Sequence, residues 1–278
     1  MSVINTNTAA LYSQAALKTN ARTMDTTMQQ LSTGSRVNSA KDDAAGLAIG
    51  QNMTSQIRGL NQAVRNLNDG INMMQTAEGA MIEQSNMLQR MRELAVQANN
   101  GTYSDVQRGY LDLEFQALGS QINKIATETK WNDQPLLTGT TGLGTGTFTF
   151  QTGQGAGQQM TVTISAMTLV AGLGISAAAL IGNVSNASIS LGLVSTALEK
   201  INTQRAALGA AINQMGYAAD NVTNISSNTT QSRSSIMDTD YAIATTQLAK
   251  NQIIQQAATA MLAQANQQPQ SVMALLKG

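Results

Sequence analysis

The longest regular pattern of apolar residues is a heptad repeat in the first part of the chain. Its positions alternate spacings of four and three: Met53, Ile57, Leu60, Val64, Leu67, Ile71 and Met74. This 3.5-residue period predicts a coiled-coil seam rather than a strand. The helix stop signal Asn99-Asn100-Gly101 follows further on. We therefore predict one helix from about Asp43 to Ala98, roughly 80 Å long, which needs a partner along its length.

A second heptad pattern, in the last third of the chain, supplies that partner. Its positions are Val194, Leu198, Ile201, Arg205, Leu208, Ile212, Met215, Ala219 and Val222. A shorter helix is expected between Ser104 and Lys130. We predict that its buried side consists of Tyr110, Leu113, Ala117, Ile122 and Ile125. Three such helices can form a bundle. Its predicted core combines the seven residues of the first repeat with Leu198, Ile201, Leu208, Ile212 and Met215.

Both ends of the chain carry shorter apolar stripes in segments rich in Ala, Gln, Asn and Thr. The first stripe is Leu17, Ala21, Met24, Met28 and Leu31. The second is Ile243, Leu248, Ile254, Ala257, Met261 and Leu262, followed by Val272, Leu275 and Leu276. Isolated helices of this length and polarity are marginal in water. We expect both ends to be mobile in a lone chain and helical once they are paired.

The centre of the chain differs from both flanks because residues 134–198 contain no charged side chain. Residues 147–150 and 161–164 alternate apolar with polar positions around a Gly-rich connector, which predicts a β-hairpin. Residues 166–182 are apolar but fall short of the roughly 20 residues that span a bilayer, so no membrane span is predicted. The predicted fold is mainly α. It is a long antiparallel helical bundle or coiled coil formed by the two flanks, with a small β-hairpin region in the centre.

Composition narrows the chemistry that the chain can perform. It has 16 Lys+Arg, 16 Asp+Glu, no His and no Cys. Zinc fingers, thiol nucleophiles and imidazole bases are therefore excluded. A balanced charge does not suit nucleic-acid binding. The Asp42-Asp43 pair is interpreted as an acidic helix N-terminus, because adjacent helical residues do not face each other. We predict no enzymatic activity, cofactor or metal site, and no nucleic-acid or membrane partner.

Motifs in both flanks resemble those of the bacterial flagellins and occur in the order found in that family. These motifs cover residues 4–11, 31–49, 90–102, 131–139, 205–210 and 238–242. The resemblance extends over roughly residues 1–139 and 190–278. It implies a secreted, extracellular structural subunit that polymerises into the helical flagellar filament used for motility. The near-zero net charge of the chain also favours self-association.

The resemblance further implies a division of the chain into domains. Residues 1–42 and 238–278 would pair as an inner-tube domain with a spoke, and residues 43–139 and 190–237 would form the bundle. Residues 140–189 would form a short central region without large outer domains. The implied partners are other copies of the chain, an export chaperone, a filament cap and hook-junction proteins. The residues predicted to pack between subunits in the inner tube are Leu17, Ala21, Met24, Met28, Leu31, Ile243, Leu248, Ile254, Ala257, Met261, Leu262, Leu275 and Leu276.

The resemblance also implies a second role and leaves alternatives open. Some flagellins are recognised by an animal innate immune receptor, and the contact motif is similar to Gln89, Arg90, Leu94 and Glu114 here. A hook–filament junction protein and a coiled-coil surface adhesin are the alternative functions. The flagellins that carry a zinc protease are excluded, because their His-Glu-x-x-His motif requires His, which this chain lacks.

Overall fold

The computed structural model describes residues 6–140, 146–176 and 179–276, with side chains described up to residue 267. It confirms a mainly helical chain with few short strands. The helices are α1 (Thr8–Thr33), α2 (Ala44–Ala98), α3 (Asp105–Glu128), α4 (Val184–Met237) and α5 (Tyr241–Leu276). The strands are β1 (Lys130–Trp131), β2 (Gln134–Pro135), β3 (Thr147–Gln151) and β4 (Gln159–Thr163), and a π-helix spans Leu169–Leu173.

The chain forms two compact units. The terminal unit comprises Met1–Ser55 and Asn228–Gly278, and the bundle unit comprises Gln56–Ser227. These divisions lie 13 and 10 residues closer to the middle of the chain than the predicted domain boundaries at 42/43 and 237/238. Gly50 and Met237 show why the start of α2 groups with the terminal unit. A Cβ at Gly50 would lie 2.5 Å from the Met237 sulfur, so the side chain packs directly on the α2 backbone.

Local capping explains where the helices begin and end. The Asn7 side chain accepts a hydrogen bond from the Ala10 N–H at the start of α1. That helix ends at Gly34, whose φ of 70° favours glycine. Ser104 and Gln107 form a capping box that opens α3. The predicted helices from Asp43 to Ala98 and between Ser104 and Lys130 are therefore confirmed to within a residue or two.

The Asp42-Asp43 pair has the geometry of a helix start. Asp43 Oδ1 accepts a hydrogen bond from the Gly46 N–H at 2.8 Å, in the first turn of α2. Asp42 Oδ2 instead accepts from the Ser39 hydroxyl at 2.8 Å and the Ser39 N–H at 3.0 Å. The hydroxyl bond is the main reason why the pKa of Asp42 is lowered. The two carboxylates thus serve separate backbone turns.

The core of the bundle unit follows both heptad repeats. Leu67 and Met74 on α2, and Ile201, Leu208 and Met215 on α4, are fully buried. The alternate positions Ile57, Val64, Ile71, Leu198 and Ile212 are half-buried, and Leu60 belongs to a smaller cluster with Ala63 and Val222. Met53, the first residue of the predicted core set, is half-buried and falls in the terminal unit.

The predicted buried side of α3 is right at its C-terminal end and wrong at its start. Ile122 is buried and Ile125 is half-buried, whereas Ala117 is exposed and Tyr110 and Leu113 are 67% and 66% exposed. Besides Ile122, the helix buries Phe115 and Ala126, with Gly119 between them. Gly119 permits a close approach, because a Cβ there would lie 3.1 Å from Leu169 Cδ2. The π-helix and α2 both contact this side of α3, since the Gln84 amide also donates to Ile122 O at 3.2 Å.

The predicted central hairpin is confirmed. Strands β3 and β4 pair antiparallel, from Thr147 opposite Thr163 to Gln151 opposite Gln159. Phe148 and Val162 lie opposite each other and both belong to the bundle core. A second, unpredicted pair joins β1 to β2 through Asn132 and Asp133. Both residues have positive φ, as in a type I′ turn.

The described residues of the uncharged apolar segment, 166–176 and 179–182, contribute to the bundle core. Leu169, Leu173, Ile175 and Ile181 are buried in it. The Lys200 ammonium donates to the carbonyls of Gly172 at 3.0 Å and Leu173 at 3.2 Å, which satisfies the end of the π-helix. None of the helices in the described ranges has a stretch long and apolar enough to cross a bilayer.

Replacing Arg108 by Met is expected to lower the free energy of unfolding by about 2–4 kcal/mol. The guanidinium is buried and donates to Ala98 O at 2.8 Å, Asn100 O at 3.0 Å and Asp105 Oδ1 at 2.9 Å. The substitution removes the side-chain donors of two carbonyls at the α2–α3 junction, and Asn100 O keeps only the bond from the Tyr103 N–H at 3.4 Å. Urea denaturation followed by circular dichroism measures the change. Arg65→Met is the control, because exposed Arg65 bonds Gln62 on its own helix, and an equal loss in both variants would contradict this account.

Candidate assembly surface on the terminal helices

Helices α1 and α5 pack against each other antiparallel in the terminal unit. Three side-chain bonds set their register. Asn7 Nδ2 donates to Ala265 O at 2.8 Å, Asn20 Nδ2 to Asn251 O at 2.8 Å, and Tyr241 Oη to Leu31 O at 2.5 Å. The bonded residues are similarly spaced along the two antiparallel helices. From the first bond to the second there are 13 residues on α1 and 14 on α5, and from the second to the third there are 11 and 10. The predicted pairing of the two ends therefore occurs within one chain.

The seam between α1 and α5 is unusually polar. Asn20, Thr27 and Asn251 are 8%, 5% and 3% exposed. Asn251 Oδ1 accepts from Gln247 Nε2 at 3.3 Å. The Asn251 Nδ2 atom has no partner among the described residues. Buried amides specify register more strongly than apolar side chains do, because a shifted register leaves them unpaired.

The structure divides the predicted inner-tube packing residues into two groups. Those along the seam are half-buried: Leu17, Ala21, Met24, Leu31, Leu248 and Leu262. The others are exposed: Met28 at 54%, Ile243 at 69%, Ile254 at 39%, Met261 at 64%, and Ala257. Leu275 and Leu276 lie outside the residues whose side chains are described. Intrachain pairing therefore buries only about half of the predicted set.

Three of the uncovered residues form a line along α5, which we call the α5 stripe: Ile243, Ile254 and Met261. They are separated by 11 and 7 residues, close to three and two helical turns. They therefore share one side of the helix, flanking the seam. Exposed Leu11, Tyr12 and Ile253 on the same two helices were not predicted from the sequence, because they lie off the heptad lines. Exposed Lys250 lies on the same line between Ile243 and Ile254, so the stripe combines apolar residues with one charge. Large apolar side chains left exposed along one side of a helix are typical of an interaction site.

The segment that joins α1 to α2 is fixed against the end of α4. Arg36 N–H donates to Met237 O at 2.6 Å, and Thr239 N–H donates to Gly34 O at 2.9 Å. The Arg36 guanidinium also donates to Ile236 O at 2.6 Å. Val37 is buried. This segment, part of the predicted spoke, is thus held by backbone bonds rather than by charge pairs alone.

The residues of the predicted receptor motif lie on the bundle unit, on α2 and α3. Arg90 Nε donates to Glu114 Oε1 at 2.8 Å and Arg90 Nη1 to Glu93 Oε2 at 3.0 Å. These carboxylates raise the pKa of Arg90. Gln89 is exposed and borders an open groove of about 730 Å³ that also includes Val96 and Leu198. Leu94, in contrast, is fully buried in the bundle core, so its side chain does not face solvent.

The chain has heptad-patterned flanks, a polar seam that fixes register and an uncovered apolar stripe. These features are typical of one class of protein, helical proteins that assemble with copies of themselves. Family comparison gives the particular family. Residues 4–142 match the bacterial flagellin N-terminal helical region, and residues 191–276 match the bacterial flagellin C-terminal helical region. The chain belongs to the bacterial flagellin family.

Individual relatives agree with this assignment. The chain is 39% identical to the flagellar filament 33 kDa core protein of Treponema phagedenis, across 99% of the chain and 100% of that protein. The solved structure of Bacillus cereus flagellin matches with a TM-score of 0.50 and 28% identity, covering 57% of this chain and 88% of that one. A structure from Vibrio parahaemolyticus, described as a flagellar hook-associated protein, matches with a TM-score of 0.62, covering 71% and 100%. At 14% identity, that match shows a shared fold alone.

Proposed function

We propose that the chain is a structural subunit of an extracellular flagellar filament that serves motility. The single observation that supports this function is the uncovered α5 stripe. It occurs in a chain whose relative of almost equal length is a filament core protein. Each contact between subunits in the polymer removes this stripe from water. The burial stabilises the polymer by about 25 cal/mol per Å² of apolar area. A head-to-tail contact whose rotation does not close continues as an open helix.

Residues 1–42 and 238–278 would form the inner tube and its spoke in this polymer, and residues 43–139 and 190–237 the surrounding bundle. The polar seam supports the first assignment, because its amides hold α1 and α5 in one register before neighbouring copies arrive. Export through the flagellum itself, an export chaperone, a filament cap and hook-junction proteins complete the proposed life cycle. They rest on the family alone.

Seeded growth tests this function directly. Purified full-length chain, added to fragments of its own filaments, is expected to elongate them into long helical fibres in negative-stain electron micrographs. A hook–filament junction protein would add to an end and stop, and a coiled-coil adhesin would not elongate the seeds. Either of those outcomes would replace the proposed function by the corresponding alternative.

We also propose recognition by an animal innate immune receptor through Gln89, Arg90 and Glu114. The exposed Arg90–Glu114 pair supports it, because it joins α2 and α3 in one charged surface feature. Leu94 would contribute by packing beneath that surface. Arg90→Ala is expected to reduce receptor signalling, with Arg65→Ala as an exposed control on the same helix. Unchanged signalling by the Arg90 variant would count against the proposal.

A further inference from the structure

We propose that Met28 and Met261 are oxidation sites through which peroxide switches off assembly of the free subunit. The proposal rests on the proposed function, because it concerns the same terminal-helix surface. It goes further by assigning a covalent modification and a class of oxidant to two side chains.

The methionines of this chain differ strongly in their exposure to solvent. The bundle unit buries Met73, Met74, Met81, Met91, Met167 and Met215. Some of these sulfurs are packed on helix backbone, as at Gly70, where a Cβ would lie 3.0 Å from the Met215 sulfur. Met24, Met53, Met87, Met160 and Met237 are half-buried. Among the residues whose side chains are described, Met28 and Met261 are the methionines with more than half of their surface exposed.

Both open methionines lie in the terminal unit, on the surface that assembly would cover. Met261 is one end of the α5 stripe. Met28 continues the α1 line of Leu17, Ala21 and Met24 at the same four-three spacing, but is its most exposed member. Flexible, polarisable thioethers suit an interface that must adapt to neighbouring copies. The same thioethers are accessible to small oxidants until that interface forms.

The chemistry is a two-electron oxygen transfer. The thioether sulfur attacks one oxygen of hydrogen peroxide, the O–O bond breaks, and the second oxygen leaves as water after proton transfer. Sulfur is oxidised to the sulfoxide and peroxide is reduced, with no other bond of the protein broken. The product is polar and can be returned to the thioether by methionine sulfoxide reductases with a thiol reductant.

A sulfoxide at either position opposes polymerisation directly. Its oxygen is a strong acceptor, and burying it without a donor carries a desolvation penalty. Beside Met261 on α5, Ile254 and Ala257 carry no side-chain donor, and beside Met28 on α1, Met24 and Leu31 carry none. The fold of the single chain is unaffected, because neither Met28 nor Met261 belongs to a buried core. Oxidised subunits therefore stay folded and stay free, whereas subunits already in a filament are shielded.

The test treats full-length monomer with hydrogen peroxide and follows each methionine by peptide mass spectrometry. The side chains of Met1 and Met273 are not among those described, so Met273 is replaced by Leu in every protein used and oxidation of Met1 is followed separately. Met28 and Met261 are expected to oxidise about tenfold faster than Met74, Met81 and Met91 in the monomer, and about tenfold slower in preformed filaments. The critical concentration for seeded growth is expected to rise at least about tenfold after treatment, and to return after sulfoxide reductase.

A Met28→Leu, Met261→Leu variant separates this mechanism from general damage. Peroxide is expected to leave the critical concentration of this variant at the variant's own untreated value, while a Met87→Leu, Met160→Leu control in the bundle unit remains sensitive. Equal oxidation rates at exposed and buried methionines would overturn the proposal. Loss of filament growth by the Leu variant after peroxide treatment would also overturn it. If untreated protein fails to grow on seeds, the result contradicts both the proposed function and the proposed control by oxidation. If untreated and oxidised proteins grow equally well, the result contradicts only the proposed control by oxidation.

Discussion

Serine at three positions of the α5 stripe, Ile243→Ser, Ile254→Ser and Met261→Ser, is expected to abolish filament growth in a chain that stays folded. Full burial of a large apolar side chain contributes about 1.5–3 kcal/mol. Ile243, Ile254 and Met261 are 69%, 39% and 64% exposed, so burying what remains open contributes about 3–5 kcal/mol per subunit. At 1.4 kcal/mol per factor of ten, the critical concentration rises by about a hundredfold or more. Sedimentation of seeded reactions over a range of protein concentrations measures that shift.

The half-buried seam residues Leu248 and Leu262 are untouched in this variant, so circular dichroism should match that of the unchanged chain. The control is Ile243→Val, Ile254→Val and Met261→Leu, which keeps the stripe apolar and should still grow filaments. Deleting residues 244–278 is a coarser version that removes the seam as well, and should leave a soluble monomeric bundle. Growth of the serine variant at the normal critical concentration would show that the stripe is not an assembly contact.

Phe115→Ala is expected to destabilise the bundle unit by about 3–5 kcal/mol, because truncating a buried Phe removes its packing and leaves a cavity. Phe115 is 2% exposed and lies in the main core cluster. Urea denaturation of the full-length protein, followed by helical circular dichroism, measures the loss as a lower midpoint at an unchanged slope.

Leu113→Ala is the matched control on the same helix, two residues away. Leu113 is 66% exposed, so its truncation should change stability by less than about 0.5 kcal/mol. The two variants distinguish between the two sides of α3 that the sequence offers. A larger loss for Leu113 than for Phe115 would mean that the side predicted from the sequence pattern, with Tyr110 and Leu113, is the buried one.

The buried side of α2 was predicted correctly and that of α3 only in part, for one physical reason. On α2, seven apolar residues repeat at heptad spacing, so only one line along the helix is apolar enough to be a seam. On α3, apolar residues occur on two sides, and periodicity alone cannot choose between them. The choice depends on distant parts of the chain, among them Leu169, which packs on Gly119.

The same limit applies to the candidate assembly surface. Heptad spacing identified the apolar residues of both ends, from Leu17 on α1 to Leu262 on α5. It could not separate those that face the partner helix from those left open to other copies. That separation depends on how far each helix is rotated about its own axis, which the hydrogen bonds of Asn7, Asn20 and Tyr241 fix in three dimensions.

The sequence by itself determined the helical flanks, the central hairpin and the flagellin family, because these follow from spacings and motifs within continuous stretches of chain. Only the tertiary structure decided that Arg90 reaches Glu114, that Leu94 is buried, and that Ile243, Ile254 and Met261 remain open. Local periodicity sets where side chains lie along a helix, whereas their exposure depends on which distant segment packs against it.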